Sequence, residues 1–215
     1  MSIDLTAALA PDQCITSVDA LAERYGTPKP TSIKKESAEM TPLEQEFVRQ
    51  SPFYLLATSG PDGSCDVTPR GDPPRSVQVL DEHTLVLPDR VGNKRIDSLR
   101  NLIANSQVGL LFLIPGGDET LRINGTATLS TYPPLLESLT MRGRPAEIAI
   151  VVRTEAVFMH CARAFRRSAL WSPESWPERG TFPQMPAVLK HKLRLEEDIA
   201  SIAAQREHRY CTEPI

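Results

Sequence analysis

The sequence predicts a mainly β protein, a small barrel with flanking helices. Between residues 53 and 130 it contains five apolar runs of strand length, several of them separated by tight turns. Short β runs with such turns are typical of small barrels. One basic segment with helical spacing, Asp89–Arg100, interrupts the runs. The five runs are Phe53–Ser59, Arg75–Leu80, Thr84–Pro88, Gln107–Ile114 and Thr120–Ser130.

Length and composition narrow the class of protein. The chain has 215 residues, 40% of them apolar, which fits one domain of about 150 to 200 residues with arms, or a compact pair of domains. The net charge of −3 and the interleaved acidic and basic residues argue against nucleic-acid binding. We expect no membrane span and no secretory signal, because long apolar runs are missing. The four scattered cysteines favour a reduced, cytoplasmic protein without a metal site.

The chain divides into three predicted regions. Residues 1–40 form an N-terminal arm, residues 41–160 the barrel domain, and residues 161–215 a helical extension that packs on the barrel or on a dimer interface. The sequence leaves open whether the arm lies on its own chain or on a partner subunit. Thr41-Pro-Leu-Glu44 has the spacing of a capping box and predicts a helix that ends near Gln50.

Several segments carry more specific expectations. The prolines and the glycine of residues 69–74 argue against regular structure there. Gln107–Ile114 is nearly all apolar, which predicts a central strand buried on both faces. Gly125, inside a long strand, indicates a bulge or a close backbone approach. Ile96, Leu99, Leu102 and Ile103 recur at helical spacing, which predicts a helix with one buried face. A single charged helix is predicted over Lys190–Glu207.

The basic segment is a candidate anion-binding site. Asn93, Lys94 and Arg95 precede the predicted helix, and the first backbone N–H groups of a helix have no partners within it. Side chains and amides there could together hold a phosphate. Arg75 could reach the same group. The alternative is that these charges are simply solvated at the end of a helix.

The sequence contains no recognisable catalytic apparatus of its own. No G-x-S-x-G elbow, H-E-x-x-H, Walker loop or G-x-G-x-x-G is present. His83 falls in a predicted turn, and His160 lies beside Cys161 at a junction between a strand and a helix. This pattern fits a protein whose cofactor supplies the chemistry while the fold binds and orients it.

A series of motifs resembles the pyridoxamine 5′-phosphate oxidase-like, FMN-binding split-barrel family. The motifs occur in family order at Ser76–Leu80, Leu85–Asp89, Gly92–Ile96, Asn105–Phe112 and Thr120–Ala127. Two further segments, Asp66–Asp72 and His160–Trp171, resemble a bacterial branch of it. The resemblance implies a homodimer of six-stranded antiparallel split barrels, with FMN at the interface between subunits.

The resemblance also implies site residues. One strand would line the flavin, a second would approach its ring, and the basic segment would hold the phosphate. These residues are Arg75, Ser76, Val77 and Gln78; Leu87, Pro88 and Asp89; and Asn93, Lys94 and Arg95. The partner subunit would contribute Arg163, Arg167, Trp171, Ser172 and Trp176, although the two tryptophans could equally fill the dimer core.

The implied function is an FMN-dependent oxidoreductase. Hydride would pass between FMN and a small substrate, with NADH or NADPH as the candidate electron donor. The tail Arg206–Ile215 does not match the segment that holds the product in the vitamin-processing oxidases, so the resemblance does not extend to pyridoxamine phosphate oxidation. One alternative is a non-enzymatic protein that binds flavin or heme, such as a sensor or carrier, with His160 as the axial ligand of a heme. Another is that a deazaflavin coenzyme takes the place of FMN.

Overall fold

The computed structural model describes residues 3–212, and its contacts divide the chain into two units, Met1–Glu36 and Ser37–Ile215. The ends of the predicted arm and extension, residues 1–2 and 213–215, lie outside the described residues. The first unit contains three short helices. They are α1 (Leu5–Ala8), α2 (Val18–Tyr25) and α3 (Pro30–Lys34).

The second unit contains the sheet and the remaining helices. The strands are β1 (Phe53–Ser59), β2 (Cys65–Gly71), β3 (Gln78–Asp81), β4 (Thr84–Asp89), β5 (Gln107–Leu113), β6 (Thr120–Ser130) and β7 (Ile148–His160). The helices are α4 (Pro42–Gln50), α5 (Asp97–Ala104), α6 (Pro133–Ser138), α7 (Arg163–Ser168), α8 (Met185–Leu193) and α9 (Ile199–Thr212). Within residues 3–212, each helix is too short or too polar to cross a bilayer.

The strands form one antiparallel sheet in the order β2-β1-β5-β6-β7-β4-β3. The prediction of a mainly β fold with flanking helices is confirmed. The strand number is corrected from six to seven among the described residues, and the hydrogen-bond ladder runs from β2 to β3 without closing. The sheet nevertheless curls, because side chains of β2 contact β4 although four strands lie between them in the order.

Strand β2 contradicts the expectation that residues 69–74 have no regular structure. Pro69 pairs with Leu55 and Arg70 with Tyr54, so the strand continues to Gly71. A proline lacks a backbone N–H, but β2 stands at the edge of the sheet and needs ladder hydrogen bonds on one side only. The edge position, which depends on the whole topology, makes the proline acceptable.

Other boundaries also differ from the predictions. Strand β3 begins at Gln78, because Arg75 has a φ of 71° and lies in a turn. Strand β5 alternates between buried and less buried residues, so one of its faces is only partly covered. The predicted helix over residues 190–207 is broken after Leu193, where Arg194 has a φ of 52°. Asp198 then starts α9 by accepting a hydrogen bond from the Ser201 N–H at 2.7 Å.

The core fills the inside of the curled sheet. Apolar side chains from six strands and two helices meet there, with Leu99 and Leu102 supplied by α5. Ile96 and Ile103 are exposed, which corrects their predicted place on the buried face of that helix; Ile96 lies at the position before its first residue. The largest fully buried side chains are Phe112, Met40, Leu56, Leu85, Leu87, Leu110, Leu121, Ile123, Ile150, Val48, Val86 and Val152. Helix α5 is thereby fixed across the sheet with its first turn at the open side.

Gly125 lies at the predicted bulge. The register of β6 against β7 shifts between Asn124 and Gly125, because Asn124 pairs with Ala156 and Gly125 with Thr154. A Cβ atom at Gly125 would lie 1.9 Å from the carbonyl oxygen of Arg153. The backbone of β7 thus approaches too closely for any side chain at this position.

The capping box of α4 is confirmed and gives a first testable prediction. The Thr41 hydroxyl accepts a hydrogen bond from the Glu44 N–H, and the Glu44 carboxylate accepts one from the Thr41 N–H at 2.8 Å. We expect Thr41→Ala to lower the free energy of unfolding by about 1 kcal/mol. Urea denaturation measures this effect. The control is Thr140→Ala, an exposed threonine whose only hydrogen bond in the described residues is made by its backbone N–H, and an equal loss there would contradict the capping role.

Candidate functional site

A cavity of about 860 Å³ lies at the open side of the sheet. Its walls are the inner face of β2, the end of β4, the loop of residues 90–96 and the first turn of α5. This volume falls within the usual range of about 300 to 1,000 Å³ for small-molecule sites. The cavity therefore occupies the place where the backbone ladder leaves the barrel open.

The inner face of β2 is polar and is tied to α5 at one end. Alternate residues of the strand point inward, as expected for its period of two. Asp66 accepts a hydrogen bond from the Asn101 amide at 2.7 Å, and the Thr68 hydroxyl lies 3.3 Å from that of Ser98. Both partners lie on α5, so this helix closes one half of the open side.

At the end of β2 and just beyond it, two ion pairs close the other half. Arg70 contacts the carboxylate of Asp89, the last residue of β4. Asp72 accepts a hydrogen bond from Arg90 Nε at 3.1 Å. All four side chains are largely buried, with 12–23% of their surface exposed. One segment supplies the arginine of the first pair and the aspartate of the second, and the other segment supplies their partners. The wall that the two pairs form is therefore neutral.

Tyr54 lies beside these ion pairs. It is opposite Arg70 on one neighbouring strand and opposite Phe112 on the other. Its ring contacts that of Phe112 with centroids 5.1 Å apart, while its residue surface is 4% exposed and lines the cavity. Burial raises the pKa of the Tyr54 phenol, and the charge of Arg70 opposes that shift. The phenol is therefore a neutral hydrogen-bonding group at neutral pH.

The first turn of α5 forms the other end of the cavity. Ile96, with a φ of 51°, occupies the position before the helix and makes no capping hydrogen bond with its side chain. Asn93 accepts a hydrogen bond from the Arg95 N–H at 3.1 Å, and Arg95 donates to Asp97 at 2.7 Å. Uncapped N–H groups at a helix start attract anions. This end has the character of an anion-binding site.

Charge is distributed unevenly along the cavity. Among the lining residues that the structure describes, Arg70, Arg90 and Arg95 each form an ion pair, whereas Lys94 forms none. Lys94 has a φ of 61°, a backbone conformation that is uncommon for a residue with a side chain. The uncompensated positive charge thus coincides with the uncapped start of α5.

The structure brings together most of the residues predicted to hold a cofactor within one chain. Seven of them line the cavity: Ser76, Val77, Pro88, Asp89, Asn93, Lys94 and Arg95. Three others do not. Arg75 pairs with Glu46 at 3.1 Å, Gln78 donates to the Ser138 carbonyl at 2.7 Å, and Leu87 is fully buried in the core.

The residues predicted to come from a partner subunit lie elsewhere on this chain. Arg163, Arg167, Trp171, Ser172 and Trp176 lie on α7 and the turn after it, outside the lining of the cavity. Trp171 Nε1 donates to the Gly117 carbonyl at 2.8 Å, and Trp176 Nε1 donates to the Leu170 carbonyl at 2.9 Å. His160, at the end of β7, lies 5.0 Å from the ring of Phe158 and does not line the cavity either.

Sequence reasoning missed the residues that form the cavity's polar wall. They are Tyr54, Thr68, Arg70, Asp72, Arg90 and Ser98. A signal was present, since polar residues alternate at positions 66, 68, 70 and 72, as in a strand with one polar face. Within residues 3–212, no group of three or more His, Cys, Asp or Glu side chains is arranged to hold a metal ion.

Comparisons with known proteins identify a sequence family and several solved structures that are similar to this chain. The sequence profile of the family described as pyridoxamine 5′-phosphate oxidase matches residues 40–161. A search among curated proteins found no match. Among solved structures, HupZ of Group A Streptococcus is 20% identical, with a TM-score of 0.45 over 56% of this chain and 94% of that one.

Two further solved structures are similar at lower identity. A Clostridium acetobutylicum protein related to general stress protein 26, of the pyridoxinephosphate oxidase family, is 16% identical over 54% of this chain and 84% of its own, with a TM-score of 0.42. An FMN-binding protein of Syntrophomonas wolfei is 8% identical over 66% of this chain and 95% of its own, also with a TM-score of 0.42.

Proposed function

Because the chain belongs to the pyridoxamine 5′-phosphate oxidase family, we propose that its cavity binds FMN and that the protein is an oxidoreductase acting on a small substrate. The observation that carries the proposal is the coincidence of Lys94 with the uncapped start of α5 at one end of a cavity of about 860 Å³. This arrangement suits a molecule with a phosphate at one end and a flat ring system at the other.

The residues of the cavity fit such a molecule. Lys94 and the first N–H groups of α5 would hold the phosphate, with Ser98 beside them. The ring system would lie along the inner face of β2, against the wall formed by the two ion pairs. When bound, the flavin would supply the hydride chemistry, while the chain binds it, orients it and shields one of its faces from water.

The two ion pairs that close the cavity wall support a role for β2 and β4 in orienting a ligand. The Arg70–Asp89 and Asp72–Arg90 pairs satisfy their own charges, so neither guanidinium is available to neutralise a second anion. A dianionic group therefore has a favoured place at the Lys94 end only. This asymmetry would set the direction in which an elongated ligand enters.

The electron donor and the assembly are further parts of the proposal. NADH or NADPH is the proposed donor, and mixing either with the purified flavoprotein under anaerobic conditions should bleach the flavin absorption. We also propose that the chain works as a homodimer, which is supported by family membership. In that assembly a second copy would bring residues such as Trp176, whose side chain is exposed here, towards the cavity.

The absorption spectrum of the protein purified without added ligand tests the cofactor directly. Bands of oxidised flavin support the proposal. A single absorption band typical of a deazaflavin would show that this coenzyme, and not FMN, is bound. A Soret band would overturn the proposal in favour of heme. Light scattering of the same sample tests the dimer, and a monomer that retains flavin would contradict it.

Lys94→Ala provides the mutational test. We expect the Kd for FMN to rise about tenfold or more, because hydrogen bonds to charged groups contribute about 1.5 to 3 kcal/mol. Arg95→Ala is the matched control, since Arg95 is already paired with Asp97 and is exposed. We expect a smaller rise for it. Fluorescence titration with FMN measures both, and equal affinities of Lys94→Ala and the parent protein would show that the phosphate lies elsewhere.

A further inference from the structure

The Tyr54 hydroxyl is a polar group of the cavity whose hydrogen-bonding capacity the described residues do not use. Tyr54 is 4% exposed, and its hydroxyl takes part in none of the hydrogen bonds found among the described residues. No buried side-chain oxygen or nitrogen atom in this part of the chain is without a partner, so the hydroxyl must reach the open space of the cavity that the residue lines. A hydroxyl held in this way is available to a ligand.

The surroundings of Tyr54 define the kind of atom that it can contact. The nearest charged groups are two guanidinium groups and two carboxylates, which pair with each other as Arg70–Asp89 and Arg90–Asp72. The local charges cancel, so nothing at this point favours an anion. A neutral phenol in such a place donates a hydrogen bond to a neutral acceptor, such as a carbonyl oxygen or an aromatic ring nitrogen.

The position of Tyr54 along the cavity separates it from the anion-binding end. Thr68 contacts α5 through Ser98, whereas Arg70, the neighbour of Tyr54, is two residues further along β2. Two residues of a strand span about 7 Å. Tyr54 and Lys94 therefore act on different parts of one elongated ligand.

We infer that Tyr54 is a ligand-positioning residue, whose hydroxyl donates a hydrogen bond to a carbonyl or ring nitrogen of a heteroaromatic ring, while the phosphate of the same ligand lies at Lys94. This inference rests on the proposed function and deepens it, because it fixes the direction of the ligand in the cavity. The Tyr54 ring itself is held by Phe112, so the hydroxyl presents a fixed donor.

The test compares FMN with riboflavin, which has the same ring system and no phosphate. Tyr54→Phe keeps the contact with Phe112 and removes the hydroxyl alone. We expect this substitution to raise the Kd of both flavins by the same factor, about fivefold, because one neutral hydrogen bond is lost. Lys94→Ala should weaken the binding of FMN and leave the binding of riboflavin unchanged.

The controls keep the inference separate from the proposed function. Tyr132→Phe removes the hydroxyl of a tyrosine that is 64% exposed, and we expect it to change neither Kd. Thermal denaturation checks that Tyr54→Phe is folded at the temperature of the titration. Suppose that the parent protein binds both flavins. If Tyr54→Phe has the same Kd values as the parent, or a raised Kd for FMN alone, the inference is overturned and the proposed function stands. A parent that binds neither flavin overturns both.

Discussion

Gly125→Ala is expected to lower the free energy of unfolding by about 3 to 4 kcal/mol. The new Cβ would lie 1.9 Å from the Arg153 carbonyl oxygen and 2.9 Å from its carbonyl carbon. The clash is with backbone, so a change of side-chain rotamer cannot relieve it. The pairing of β6 with β7 around the bulge would have to move, and urea denaturation would report the loss.

Gly109→Ala is the matched control. Gly109 lies on β5 directly opposite Asn124, the residue before the bulge. A Cβ at Gly109 would meet the Ala57 Cβ at 3.5 Å, an ordinary contact distance. We expect the free energy of unfolding to change by less than about 1 kcal/mol. Similar losses for both variants would mean that glycine flexibility, and not the close approach of β7, explains the requirement.

The second large effect is expected for Asp89→Ala. Removal of the carboxylate leaves the Arg70 guanidinium without its counter-charge, on a side chain that is only 21% exposed. Losing one partner of a buried ion pair costs about 3 to 5 kcal/mol. Because this pair borders a cavity, we expect about 3 kcal/mol at neutral pH. Chemical denaturation in the absence of ligand measures the loss.

A double substitution and an exposed ion pair serve as the controls for Asp89→Ala. Arg70→Met combined with Asp89→Leu removes both charges, and we expect it to recover most of the stability lost in Asp89→Ala. The exposed pair of Arg166 and Asp118, 2.9 Å apart, is the comparison. Asp118→Ala should leave stability nearly unchanged. A double variant as unstable as Asp89→Ala would show that the charge of Arg70 is not the cause.

The parts of the fold that local patterns determine were predictable. The capping box at Thr41, the strands β1, β4 and β6, and the bulge at Gly125 each depend on residue type and on near neighbours in the sequence. In these places the local preference of the chain and the final structure agree.

The site was harder to predict because it depends on pairing between distant segments. Arg70 and Asp89 are 19 residues apart and meet only because the sheet curls. Pro69 reads as a strand breaker until the strand order places β2 at an edge. Leu87 faces the core and not the cavity because the face that each residue of β4 presents is set by its pairing with β7. The basic segment lines the cavity, whereas only Ser76 and Val77 of the strand that the resemblance assigned to residues 75–78 do so.

The way in which the barrel is closed has a consequence for how a ligand gains access. Between β2 and β4 the described residues are joined by side-chain contacts, with no ladder of main-chain bonds. This contact between β2 and β4 can therefore open by rotation of a few side chains, while the hydrogen-bonded strands around it stay intact. A rigid, planar ligand could enter there without unfolding of the strands.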